Sequence, residues 1–146
     1  FPVGPLRERA KRLNRVDLCV YHAPRDPHAT MRLTADCFRH LSDNVILPLT
    51  HFKQKTVHAV SAIADNQRFF TQLKQLGLHV IPHGFIDHHL FLESNLQFGD
   101  DYPVIITEKD AVKCRGFQSV NVYVLQVFVA VDADIEGQLV DWLQQL

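Results

Sequence analysis

From residue 56 onward the chain alternates short β-branched runs with amphipathic stretches of helical period, and this rhythm restricts the fold more than any other feature. Residues 57–63 read as a strand. Residues 66–76 read as a helix with Phe69, Phe70, Leu73 and Leu76 on one face, closed by Gly77. Residues 78–82 and 104–106 read as further strands, 93–98 and 110–117 as short helices, 120–131 as an extended run and 135–146 as a terminal amphipathic helix. Strands that alternate with helices imply an α/β domain, a parallel sheet flanked by helices on both faces.

The first 55 residues lack this rhythm. A basic segment (Arg7, Arg9, Lys11, Arg12, Arg15) reads as helix and leads into an apolar stretch at 16–21 of strand length. Residues 22–30, with Pro24 and Pro27, read as a loop, and 31–49 as two extended segments around a polar middle, the pattern of a hairpin or connecting ribbon. At 146 residues and 47% hydrophobic composition the chain fits one globular domain, or one plus a piece of another. Fifteen Lys and Arg against sixteen Asp and Glu leave a net charge of -1, so no global basic field points to nucleic acid. Cys19, Cys37 and Cys114 are odd in number and form no CxxC, which suggests neither a disulfide framework nor a structural zinc site and fits a reducing compartment. No apolar run has the length of a membrane span. The first residue is Phe rather than Met, as expected of an internal fragment.

In open α/β sheets ligands bind beyond the carboxyl ends of the strands, so the residues after each strand are the candidates. Three clusters stand there: Asp65-Asn66-Gln67-Arg68, Asp87-His88-His89, and Thr107-Glu108-Lys109-Asp110 running on to Lys113. Asp65 and Asn66 are read most simply as a cap for the helix that carries Arg68. Thr107 and its neighbours offer caps too, yet Lys109 and Lys113, four apart, could together meet an anionic group at a helix start. Asp87 with His88 has the make-up of a proton-transfer pair, while two adjacent histidines could ligate a metal and an aspartate cap followed by surface histidines is the plain structural reading. Phe85, Ile86, Leu90 and Phe91 are expected to hold this loop in place. There is no P-loop, no G-x-G-x-x-G and no G-x-S-x-G in the chain.

Four blocks taken together carry a family resemblance. They are Phe1-Pro2-Val3-Gly4-Pro5-Leu6-Arg7-Glu8 with Arg15-Val16-Asp17; Val57-His58-Ala59-Val60 through Gln67-Arg68-Phe69-Phe70 to Leu76-Gly77; Asp87-His88; and Thr107-Glu108-Lys109-Asp110-Ala111-Val112-Lys113-Cys114-Arg115. The chain resembles the carboxyl-terminal portion of the tetraacyldisaccharide 4'-kinases, the lipid A 4'-kinases of Gram-negative bacteria. The resemblance implies an ATP- and Mg²⁺-dependent lipid kinase at the cytoplasmic face of the inner membrane, made of two α/β domains joined by a two-stranded ribbon. Residues 1–27 would complete the large P-loop domain, 28–54 the ribbon, and 55–146 the small carboxyl-terminal domain. The P-loop, the catalytic aspartate and most Mg²⁺ ligands would precede this chain, as would the membrane-binding part, leaving the fragment inactive alone.

The family's active-site histidine maps onto His88, with Asp87 beside it, and Lys109, Lys113, Thr107 and Arg68 are the substrate- or nucleotide-binding candidates; no metal ligand is assigned. Two departures from the family pattern stand out: Ser61-Ala62-Ile63-Ala64 replaces A-G-I-G, and residues 122–133 are longer and more apolar than Y-L-P-V-D-A. The alternatives are a metal-dependent phosphoesterase of the kind named for a DHH triplet, which needs several more aspartates than Asp17 and Asp65 to hold two metals, and a non-catalytic remnant.

Overall fold

The computed structural model of the chain describes residues 10–16, 18–21, 31–117 and 121–144. Its strands are β1 (Met31–His40), β2 (Ile46–Pro48), β3 (Thr56–Ser61), β4 (His79–Gly84), β5 (Val104–Thr107) and β6 (Val122–Val131). Its α-helices are α1 (Asn66–Gln75), α2 (Glu108–Ala111) and α3 (Ala133–Leu143). The strands form one sheet in the order β2-β1-β6-β5-β3-β4. Pairing is parallel for β3 with β4, β3 with β5 and β5 with β6, whereas β1 and β2 form an antiparallel hairpin. The sheet is therefore mixed rather than wholly parallel, because the hairpin read from residues 31–49 adds its two strands to the same ladder.

The chain divides into two compact units, Ala35–Phe128 and a second made of Phe1–Thr34 with Val129–Leu146. In the larger unit alternate residues of each central strand enter opposite cores, as a two-residue period requires. Val57 and Ala59 of β3 and Ile105 of β5 pack with Phe69, Phe70 and Leu73 of α1, joined by Phe38 and Phe52. Val60, Val104, Ile106, Val122 and Val124 pack on the other face with Phe91, Leu96, Ala111 and Cys114. Both faces are thus covered, as anticipated. Helix α1 begins where Asp65 accepts the Arg68 N–H and stops at Gly77, whose φ of +86° suits glycine better than any L side chain.

In the smaller unit Ala10–Arg15 forms a 3-10 helix, and α3 buries Ile135. The strand anticipated at 16–21 is not formed among the described residues. A strand exists only through its ladder, and the backbone partner found for this stretch is Met31, whose N–H donates to the Tyr21 carbonyl. The loop read at 22–30 lies outside the described residues. The helix expected over 110–117 begins earlier, at Glu108, and tightens to a 3-10 turn over Val112–Cys114. Likewise the 93–98 helix is a 3-10 turn, Glu93–Leu96.

Candidate functional site

Strands β3, β4 and β5 run parallel, so their carboxyl ends bring Ala62, Phe85 and Glu108 to one edge of the sheet. Asn66 joins two of these ends. Its Oδ1 accepts the Ile63 N–H at 3.2 Å and its Nδ2 donates to the Phe85 carbonyl at 2.9 Å. Phe85 then anchors the next loop by stacking on His89 at 4.5 Å and meeting Phe91 edge-on at 5.4 Å. Ile86 and Leu90 do not help: they are 80% and 82% exposed. A count of apolar residues cannot tell which side of a turn each will face.

The turn closes with the His89 N–H on the Ile86 carbonyl and places His88 at φ 65°. Left-handed backbone at a non-glycine residue costs on the order of 1–3 kcal/mol and collects at functional sites. Asp87 Oδ1 accepts the His88 N–H at 3.0 Å, which supports the turn. The imidazole itself stands out in solvent, 81% exposed, with Nε2 3.5 Å from Asp87 Oδ2. Lys109 reaches across from α2, its Nζ 3.4 Å from Asp87 Oδ1. Partial desolvation pushes the Asp87 carboxyl up, but the Lys109 hydrogen bond with the charges of His88 and Lys109 outweighs it and holds the group below its ordinary value. Asp87 is therefore an anion throughout the neutral range.

Beneath this surface pair lies a buried one. Asp110 has no exposed surface, and its Oδ2 accepts the Ala62 N–H at 3.0 Å and the Thr107 hydroxyl at 2.8 Å. Its Oδ1 takes the Lys113 ammonium at 2.9 Å, and Lys113 also donates to the Ala62 carbonyl. Thr107 caps α2 by accepting the Asp110 N–H. One carboxylate thus ties the turn after β3 to the start of α2.

A family profile described as tetraacyldisaccharide-1-P 4'-kinase matches residues 1–146, the whole chain. The chain belongs to the tetraacyldisaccharide-1-P 4'-kinase family. Among its relatives, a tetraacyldisaccharide 4'-kinase of Nitrosococcus oceani is 39% identical over 99% of this chain and 43% of its own length. The same-named protein of Hahella chejuensis is 40% identical over 87% of this chain and 38% of its own length. A crystal structure of LpxK from Aquifex aeolicus in complex with ATP shares the fold, with a TM-score of 0.62 and 23% identity over 94% of this chain and 45% of that one. The chain spans less than half the length of the kinases it matches.

For this kinase-family chain the structure brings Asp87, His88 and Lys109 together. Lys113 points instead to Asp110, because the tightening of α2 after Ala111 ends the regular helix between the two lysines. Thr107 is occupied as a cap, and Arg68 lies half-buried in the first turn of α1. His89 is held among aromatic rings, with Nε2 3.4 Å from Asn95 Oδ1. Of the two departures from the family pattern, Ser61-Ala62-Ile63-Ala64 leaves no residue of that turn at positive φ, so the backbone there does without glycine. Of the apolar tail, Val122, Val124 and Leu125 are buried in the ten-residue strand β6, whereas Phe128 and Val129 stand exposed. Sequence reasoning missed the central place of Asp110, whose one visible signal was an acid three residues from both Thr107 and Lys113.

Proposed function

We propose that the full-length protein containing this chain transfers the γ-phosphate of ATP to the 4'-hydroxyl of a tetraacylated glucosamine disaccharide 1-phosphate. The observation that carries this reading is the family match over the entire chain, including the Asp87-His88 and Thr107–Arg115 motifs. In the reaction the 4'-oxygen bonds to the γ-phosphorus, the bond to the β,γ-bridging oxygen breaks, and its electrons leave with ADP. His88, extended into solvent and braced by Asp87, serves as the proton-handling or positioning imidazole, its partner an aspartate of the large domain. Residues 1–27 are assigned to that large domain, 28–54 to a linker and 55–146 to the small domain. Lys109 is assigned to an anionic group of ATP or of the lipid.

Among the described residues no group of three or more His, Cys, Asp or Glu side chains is arranged to hold a metal ion. A Mg²⁺ ion in this kinase is assigned mainly to the part of the protein that precedes this chain, with the ATP phosphates among its ligands. No described helix is long and apolar enough to cross a membrane, and work at the cytoplasmic face of the inner membrane is assigned to the rest of the protein. The family match favours the kinase over a DHH phosphoesterase.

The assignment of parts is tested by assaying the 146-residue chain beside the full-length protein. The chain has no phosphate-cradling loop, so phosphorylation of the disaccharide stays at the no-enzyme level, while the full-length protein is active. Transfer by the chain alone would overturn the assignment. Lys109→Ala in the full-length protein is expected to raise KM for ATP or for the disaccharide 1-phosphate by an amount equivalent to about 1–3 kcal/mol, the scale of a charge-assisted contact. Its melting temperature should not change, since the Asp87 pair is exposed and contributes little to folding. Unchanged kinetics would leave Lys109 as a surface charge.

A further inference from the structure

A second cluster of titratable side chains lies away from Asp87 and His88. His58 of β3 is 4% exposed and stacks on Phe98, with centroids 3.9 Å apart and planes at 16°. Both of its nitrogens are engaged: Nδ1 is 2.9 Å from His83 Nε2, and Nε2 lies 3.0 and 3.2 Å from the two Asp100 oxygens. His83, half-buried on β4, stacks on the same Phe98 ring at 4.3 Å. From the turn that follows, Asp100 Oδ1 also accepts the Tyr102 N–H, and the Tyr102 ring lies 6.0 Å from His58. One buried imidazole thus fastens β3 to β4 and to the turn at 97–103.

A proton count shows how far this chain of bonds can be loaded. The Asp100 carboxylate only accepts, so His58 Nε2 carries a hydrogen; neutral His58 then offers the Nδ1 lone pair to the His83 Nε2–H. One added proton is tolerated, because His58 can hold it on Nδ1 while His83 changes tautomer and accepts. A second leaves two N–H groups facing each other across 2.9 Å. That arrangement has no acceptor.

We propose that Asp100, His58 and His83 form an acid-released latch, closed with up to one added proton and opened by the second, which breaks the side-chain link between β3 and β4 and loosens the 97–103 turn while the β3–β4 backbone ladder stays in place. The titratable groups facing it among the described residues are those three and Tyr102. Burial first, and the charge of His58 second, push the His83 imidazole below its ordinary value, so the closed state takes up protons less readily than the open one. Stability of the closure therefore rises with pH and is lost as pH falls below about 6.5. Asp100 stays ionised across that window, its carboxyl held low first by the His58 hydrogen bond.

Hydrogen exchange of the full-length protein tests the latch, read on peptides covering 97–103 between pH ~7.5 and ~5.5, with 79–85 as the ladder-held reference, and corrected for the intrinsic pH dependence of exchange. Protection in the wild type should fall by about tenfold per pH unit for each proton taken up on opening. In H83Q the amide donates to His58 Nδ1 but does not titrate, so protection should persist at acid pH. D100N withdraws the charge that faces a protonated His58 and should open at higher pH than the wild type, a shift opposite in sign. Acid loss in H83Q as steep as in the wild type would overturn the proposal, and should H83Q not fold, a D100N transition unmoved or moved to lower pH would do so.

Discussion

Under the proposed function, His88→Ala in the full-length protein is expected to lower kcat by roughly 10²–10⁴, the range for a positioned proton-transfer partner, with its thermal unfolding unchanged. The geometry explains why folding is spared. The His88 ring is 81% exposed and lies against the neighbouring Asp87 carboxylate, so its removal opens no cavity and strands no buried group. Replacing a left-handed non-glycine residue by alanine also leaves the backbone cost in place. His89→Ala should behave in the opposite way. Its ring packs against Phe85 and Phe91, so the loss falls on stability, by about 0.5–1.5 kcal/mol, with kcat reduced far less. Steady-state kinetics and melting curves of the two variants separate these roles. Equal loss of kcat at both positions would instead mean that the histidines act as a pair, as metal ligands do.

Asp110→Ala is expected to be strongly destabilising, by about 3–5 kcal/mol, because removing one member of a buried ion pair leaves the other uncompensated. Here the stranded groups are the Lys113 ammonium, only 18% exposed, the Ala62 N–H and the Thr107 hydroxyl. Asp110→Asn should cost less, since its amide oxygen still accepts one of those bonds. Urea unfolding of the full-length protein gives the comparison directly. A loss under about 1 kcal/mol for Asp110→Ala would mean that Lys113 finds water and the Ala62 turn holds by other contacts.

How much of this could be read from residues alone depends on the range of the forces involved. The β3, α1 and β4 succession was legible because the Phe69, Phe70 and Leu73 stripe, the Asp65 cap and Gly77 are local signals that agree with one another. The hairpin at 31–49 was legible as extended chain, but its membership of the main sheet was not, since a neighbour in a sheet is chosen by long-range pairing. The 16–21 stretch shows the converse, an apolar run of strand length that forms no strand among the described residues.

At the candidate site the motif aspartate, histidine and lysine were singled out by their types, and the structure adds that Asp87 and Lys109, 22 residues apart, lie 3.4 Å from each other. The partners of Asp110 and His58 were out of reach for a related reason. Asp110 meets the Ala62 N–H across 48 residues, and His58 meets His83 and Asp100 across 25 and 42. No periodicity records such meetings. They follow only from the parallel register that sets β3 beside β4 and β5.

Under the proposed function this chain is part of a lipid 4'-kinase whose site includes His88. The most direct test is to incubate the purified full-length protein with γ-labelled ATP and the tetraacylated disaccharide 1-phosphate, then locate the label on the product. The expected product is a disaccharide carrying phosphate at both the 1 and 4' positions, formed by the wild type and nearly absent with His88→Ala. Label absent from the 4' oxygen, or release of phosphate from the 1-position by the same protein, would contradict it.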